Sequence, residues 1–166
     1  MLHQILSTID KTLPFEEAQA HCDIPCKIYD PHRAQVAALT VVRMIDIMNE
    51  LEKPADAGDL GYLNTVIRCV AQKEEHAEIV KQEIRIISGD YIKKPQTDKH
   101  PEFMELTHKI MLQGSKCRKS VDRDAAVELV NLVNQYAEFF WDTKDVKTKR
   151  AVCPYPPALE VVYPNL

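Results

Sequence analysis

Asp30-Pro31-His32-Arg33-Ala34-Gln35-Val36-Ala37-Ala38-Leu39-Thr40-Val41-Val42-Arg43-Met44-Ile45-Asp46-Ile47-Met48-Asn49-Glu50-Leu51 is the stretch whose pattern sets the fold class. Asp30 can cap a helix, and proline is tolerated at the first helical position because its missing N–H has no partner there anyway. Ala34, Ala38, Val41, Ile45 and Met48 then recur at helical spacing and lay one apolar stripe down to about Leu51. Pro54 to Gly61 is a polar break. A second helix is expected from about Tyr62 to Ser88, with Leu63, Val66, Ile67, Val70, Ala77, Val80, Ile84 and Ile87 inward and Gly89 at the capping position. Asp90 to His100 reads as a loop. Pro101 is expected to start a third helix with Phe103, Leu106, Ile110 and Cys117 on its stripe. Ser120 or Asp122 is expected to cap a fourth, with Ala126, Leu129, Val130, Val133, Ala137, Phe140 and Trp141 inward. β-Hairpin signals are absent, and so are internal repeats. The expected architecture is all-α, an antiparallel four-helix bundle over residues 30–145.

Composition narrows the function. Acidic residues outnumber basic ones 25 to 21 with no basic stripe, which argues against nucleic acid as a partner. No uninterrupted apolar run approaches the about 18 residues that a membrane span needs. Four glycines leave no phosphate-cradling loop. Five cysteines, an odd number, argue against a closed disulfide framework and for a reducing, cytoplasmic setting. Residues 1–20 carry a short amphipathic pattern stopped by Pro14. Ala18-Gln19-Ala20 looks like a signal-peptidase site, but Asp10 and other polar residues interrupt the apolar run that export requires. Residues 146–166, with Cys153-Pro154-Tyr155-Pro156-Pro157, read as an extended, proline-stiffened tail in which Cys153 is exposed. Cys69 and Cys117 fall at helical positions and read as inert packing thiols.

His21-Cys22-Asp23-Ile24-Pro25-Cys26-Lys27-Ile28-Tyr29 concentrates chemistry in nine residues. Two thiols separated by three residues can bend onto one metal if a turn lies between them, and Pro25 helps to fix such a turn. Thiolate and imidazole suit zinc, copper, nickel and iron. A reducible disulfide or a zinc half-site fits the same spacing, although no second ligand pair for zinc lies nearby.

This stretch resembles the nickel-hook motif of the nickel-dependent superoxide dismutases. Gly89-Asp90-Tyr91-Ile92-Lys93-Lys94-Pro95, the His-Pro-Glu beginning at His100, and Phe139-Phe140-Trp141-Asp142-Thr143-Lys144 resemble the same family in order and spacing. The resemblance, over roughly residues 21–145, implies an enzyme that disproportionates superoxide to dioxygen and hydrogen peroxide. It implies a leader, residues 1–20, removed by a maturation protease so that His21 becomes the N-terminus of a hook spanning residues 21–29. One nickel ion per subunit would then be held by His21, Cys22 and Cys26, through the freed amine, the Cys22 backbone nitrogen and both thiolates, with the His21 imidazole as an axial donor. Tyr29 would order substrate or water over the metal, and Asp23 with Ile24 would supply hook backbone that binds a small anion. Tyr29 also reads as a packed aromatic. A homohexamer is implied as well.

Three positions depart from the family pattern. Lys27 stands where glycine is usual, and Ala37 and His76 stand where some members carry a glutamate and an arginine that support the hook histidine. His76 could partner the imidazole instead. Lys27, Lys93 and Lys94 are candidates for steering a small anion. Two other readings compete. A ferritin-like di-iron bundle would use Glu105 and His108, but Lys73 occupies the position where a second such pair needs glutamate. A non-enzymatic nickel-binding or metal-sensing bundle would keep the hook and lack turnover.

Overall fold

The computed structural model describes residues 26–54 and 58–166. His21, Cys22, Asp23 and the expected leader lie outside the described residues. Helix α1 spans His32–Glu50, α2 Leu60–Ile86, α3 Lys94–Lys99, α4 Phe103–Lys119 and α5 Arg123–Asp142, followed by strands β1 (Thr148–Val152) and β2 (Glu160–Pro164). Helices α1, α2, α4 and α5 pack each against the next, and α5 closes the ring on α1. That ring is the expected four-helix bundle. No helix among the described residues is long and apolar enough to cross a membrane.

Local chemistry explains the helix starts. The Pro31 carbonyl accepts the Gln35 N–H at 3.1 Å, while the Asp30 carboxylate accepts the His32 N–H at 2.7 Å. Asp59 caps α2 by accepting the Tyr62 N–H at 2.7 Å. Asp122, rather than Ser120, caps α5 through the Ala125 N–H at 3.0 Å, because the Ser120 hydroxyl is turned back to the Lys116 carbonyl. The stripe residues Phe103, Leu106, Ile110 and Cys117 are buried, as are Ala126, Leu129, Val130, Val133, Ala137 and Phe140. Trp141 is only partly buried, at the edge of the core. Along α1, Ala34, Ala37 and Ala38 are fully buried or nearly so.

Four expectations need correcting. Leu63 and Ile67 are exposed, because α4 ends at the level of Lys73 and leaves the first turns of α2 facing solvent beyond it. Gly89 is not a left-handed cap: α2 runs into a π-helical turn, Ile87–Tyr91, closed by the Ile92 N–H on the Ile87 carbonyl, and no described glycine has a positive φ. The Asp90–His100 loop contains α3, where Pro95 sits in the first turn, and α4 starts at Phe103 rather than Pro101. The tail folds into an antiparallel hairpin with Arg150 opposite Val162, and Cys153 is 1% exposed rather than open to solvent. Its long connection, without a two-residue Asn-Gly or Asp-Gly turn, hides the hairpin from pattern reading.

Lys73 is buried, and its ammonium donates to the carbonyls of Cys117 and Arg118 at 2.6 and 2.8 Å. It serves as a remote cap for α4, whose last carbonyls have no helical partner. Burial holds its pKa below the usual lysine value and pushes the neighbouring Cys117 thiol up to about 11, so that thiol stays protonated and unreactive. Lys73→Ala should lose both charge-assisted bonds and leave a cavity, costing about 2–4 kcal/mol in urea unfolding. A loss well under 1 kcal/mol would show that the cap carries no stability.

Candidate metal centre

Residues 26–31 lead directly into α1. Cys26 is exposed, Ile28 is exposed, Tyr29 is half-buried, and Pro31 is buried at the helix entrance. Lys27 has φ of 60°, in the left-handed region that glycine enters freely. The departure from glycine therefore changes the side chain while the backbone keeps a conformation suited to glycine, at a strain of about 1–2 kcal/mol. Cys26 is the described member of the expected ligand set. Its exposed thiol at the foot of the hook fits a soft-metal donor set of thiolate and nitrogen.

Tyr29 is held by two of the motifs that accompany the hook in sequence. Its ring centroid lies 5.6 Å from that of Tyr91, which in turn lies 5.1 Å from Phe140. The Tyr91 hydroxyl bonds to the Thr143 hydroxyl at 2.8 Å, and the Lys144 ammonium sits 4.5 Å from the Tyr91 ring centroid. His100 stacks on Phe139 at 4.8 Å and bonds to Asp142 at 2.8 Å. Lys99 and His100 hold the Asp142 carboxyl below the usual range. The segments around Tyr91 and Phe139–Lys144 thus form the floor on which Tyr29 rests, and His100 packs against the second of them.

A cavity of about 310 Å³ opens beside Tyr29, with Asp30, His32 and Arg33 on one side and Glu83, Ile86 and Ile87 on the other. Arg33 and Glu83 are joined at 2.8 Å, and Glu83 is 7% exposed. Ala37 is buried, with no polar group to offer a hook, and the His76 ring bonds to the Gln72 carbonyl of its own helix at 2.8 Å. His76 lies two turns, about 10 Å, down α2 from Glu83. The acid–base pair beside Tyr29 is Arg33–Glu83, which the sequence reading missed. Its signal was Glu83 itself, a charge placed within the apolar stripe of Val80, Ile84 and Ile87.

The candidate steering lysines differ in their surroundings. Lys93 donates to the Gly89 carbonyl at 2.8 Å and Lys94 pairs with Asp98 at 2.9 Å, whereas Lys27 is exposed beside Cys26. Glu105 and His108 face solvent, and Glu105 pairs with Lys109 at 2.6 Å. A di-iron site needs such groups facing the bundle interior, so the ferritin-like reading fails.

Comparison with known proteins agrees with this geometry. Residues 16–144 match the family described as nickel-containing superoxide dismutase. The chain is 30% identical over 131 residues to the nickel superoxide dismutase of Streptomyces seoulensis, covering 79% of this chain and 93% of the relative. Identity to the Streptomyces coelicolor protein is 29% over the same coverage. Among solved structures, native nickel superoxide dismutase superposes with a TM-score of 0.66 at 28% identity, spanning 75% of this chain and 99% of that one.

Arg33→Ala should leave the Glu83 carboxylate buried without its cation and cost about 1–2 kcal/mol, between the values for exposed and buried pairs. Adding Glu83→Gln should recover most of that loss in a double-mutant cycle. Single losses that simply add in the double variant would mean that the pair is not coupled.

Proposed function

The chain belongs to the nickel-containing superoxide dismutase family, which makes it a nickel enzyme acting on superoxide, and we propose that His21, Cys22 and Cys26 carry the metal. The observation that carries this reading is the exposed Cys26 thiol, set at the foot of α1 beside a half-buried Tyr29. When bound, nickel supplies one-electron chemistry between its +2 and +3 states, and two superoxide ions with two protons become dioxygen and hydrogen peroxide.

The chain's own residues prepare that chemistry. Cys22 and Cys26 offer thiolates, whose electron density favours the higher oxidation state, and both must lose protons to bind, so loading weakens in acid. His21 offers an amine and an imidazole. The amine exists only once residues 1–20 are removed, because an amide nitrogen is a far poorer donor; a maturation protease is therefore part of this reading. Tyr29, braced by Tyr91, holds its hydroxyl at the mouth and orders water or a small anion. Asp23 contributes hook backbone to the same task. Lys27 adds positive charge at the entrance, where it steers an anionic substrate. Assembly as a homohexamer in the cytoplasm completes the reading, and the uncovered apolar row of Leu60, Leu63 and Ile67 supports association between copies.

Cys26→Ser should abolish both nickel retention, by metal analysis, and superoxide turnover. Retained turnover would overturn the ligand assignment, and so would full activity in the uncleaved chain. The left-handed backbone at Lys27 gives a second check. Lys27→Gly should retain nickel at least as well as the parent, whereas β-branched Lys27→Val should release it about tenfold faster, equivalent to about 1.4 kcal/mol of added strain. Equal release rates would mean that the hook does not depend on this conformation.

A further inference from the structure

The C-terminal hairpin lies beyond the segment that matches the family, which ends at residue 144. The hairpin is nonetheless firmly seated: Cys153, Val161 and Val162 are each 1% exposed. The side-chain amide of Asn134 on α5 meets the edge of β2 as another strand would. It accepts the Val162 N–H at 3.1 Å and donates to the Glu160 carbonyl at 2.8 Å. Gln35 on α1 completes the junction, donating to the Asn134 side-chain oxygen at 3.1 Å and to the Val162 carbonyl at 2.9 Å. Both residues are buried, Gln35 at 3% and Asn134 at 1% exposure. Buried amides are costly unless satisfied, so these bonds fix one arrangement.

The location of Gln35 gives the junction its meaning. Its backbone N–H closes the first turn of α1 on the Pro31 carbonyl, two residues after Tyr29. That first turn contains no acidic residue to complement the helix N-terminus, and helix ends are the parts that open most readily. We propose that the hairpin is a brace which fixes the turn of α1 carrying the hook, with Gln35 and Asn134 as positioning residues for the metal centre. The inference rests on the reading that the hook holds nickel. Arg150 on β1 adds a second tie to α5, through Glu138 at 2.8 Å.

The test uses the cleaved, nickel-loaded protein. Gln35→Met keeps the side-chain volume, removes both donated bonds and leaves the Asn134 pairing with β2 intact. It should release nickel to a chelator about tenfold faster, raise the pH at which half the metal is lost, and speed hydrogen exchange at the amides of residues 32–35. Ile110→Val, a core change on α4, serves as the control at a comparable loss of stability and should leave nickel release unchanged. If Gln35→Met fails to fold, Val162→Ala loosens the hairpin and carries the same readouts. Release no faster than in the parent overturns the brace, and so does equally fast release in the Ile110→Val control. Nickel retained by Cys26→Ser would instead mark the failure of the hook reading.

Discussion

The first amides of α1 have no carbonyl of their own helix to bond, and everything N-terminal to them depends on how that end is tied down. The chain ties it in several ways at once. Pro31 presents no N–H to satisfy, Asp30 receives the His32 amide, and the Pro31 carbonyl is closed by Gln35. Tyr29 then turns onto Tyr91, which is fixed by a hydroxyl from Thr143 and a cation from Lys144. Each contact is modest, but together they set the direction in which residues 26–29 leave the bundle. The proposed metal centre, made from one short peptide, gains from such a fixed origin, because preorganisation lowers the entropy lost on binding.

Among the described residues, four buried amide or charged side chains, Gln35, Lys73, Glu83 and Asn134, each mark a junction. Lys73 reaches the end of α4, Glu83 faces the foot of the hook, and Gln35 with Asn134 receive the hairpin. Among the described residues, no buried side-chain nitrogen or oxygen lacks a partner. A plain four-helix bundle would fill these positions with apolar residues. Here the polar groups give up some hydrophobic burial in exchange for defined junctions.

Much of this was legible in the sequence, because periodicity reports local structure directly. The stripes of α4 and α5 and the cap at Asp122 lie where the pattern places them, as do the motifs that meet around Tyr29. The failures have a common cause, which is information held by distant neighbours. Leu63 and Ile67 look inward until the length of α4 is known. Cys153 looks exposed until β2 is folded over it, and Arg33 is an ordinary surface cation until Glu83 lies opposite. The π-helical turn has no compositional marker, and a short helix led by Lys-Pro is easily read as loop. Ala37 and His76 differ from the family pattern in sequence, and the Arg33–Glu83 pair depends on α1 and α2 lying side by side.

The alanines of α1 carry one more consequence, in the currency of disorder. Ala34, Ala37 and Ala38 have no χ angle, so burying them sacrifices no side-chain rotamer freedom. Those three positions are therefore ordered at the expense of backbone entropy alone. The same smallness makes them intolerant of growth. A glutamate at position 37 would bring a longer side chain and a charge to a position that is 2% exposed. In this chain the three positions are closed to side-chain variation, and electrostatic diversity is displaced to their rim, where Arg33 and Glu83 stand.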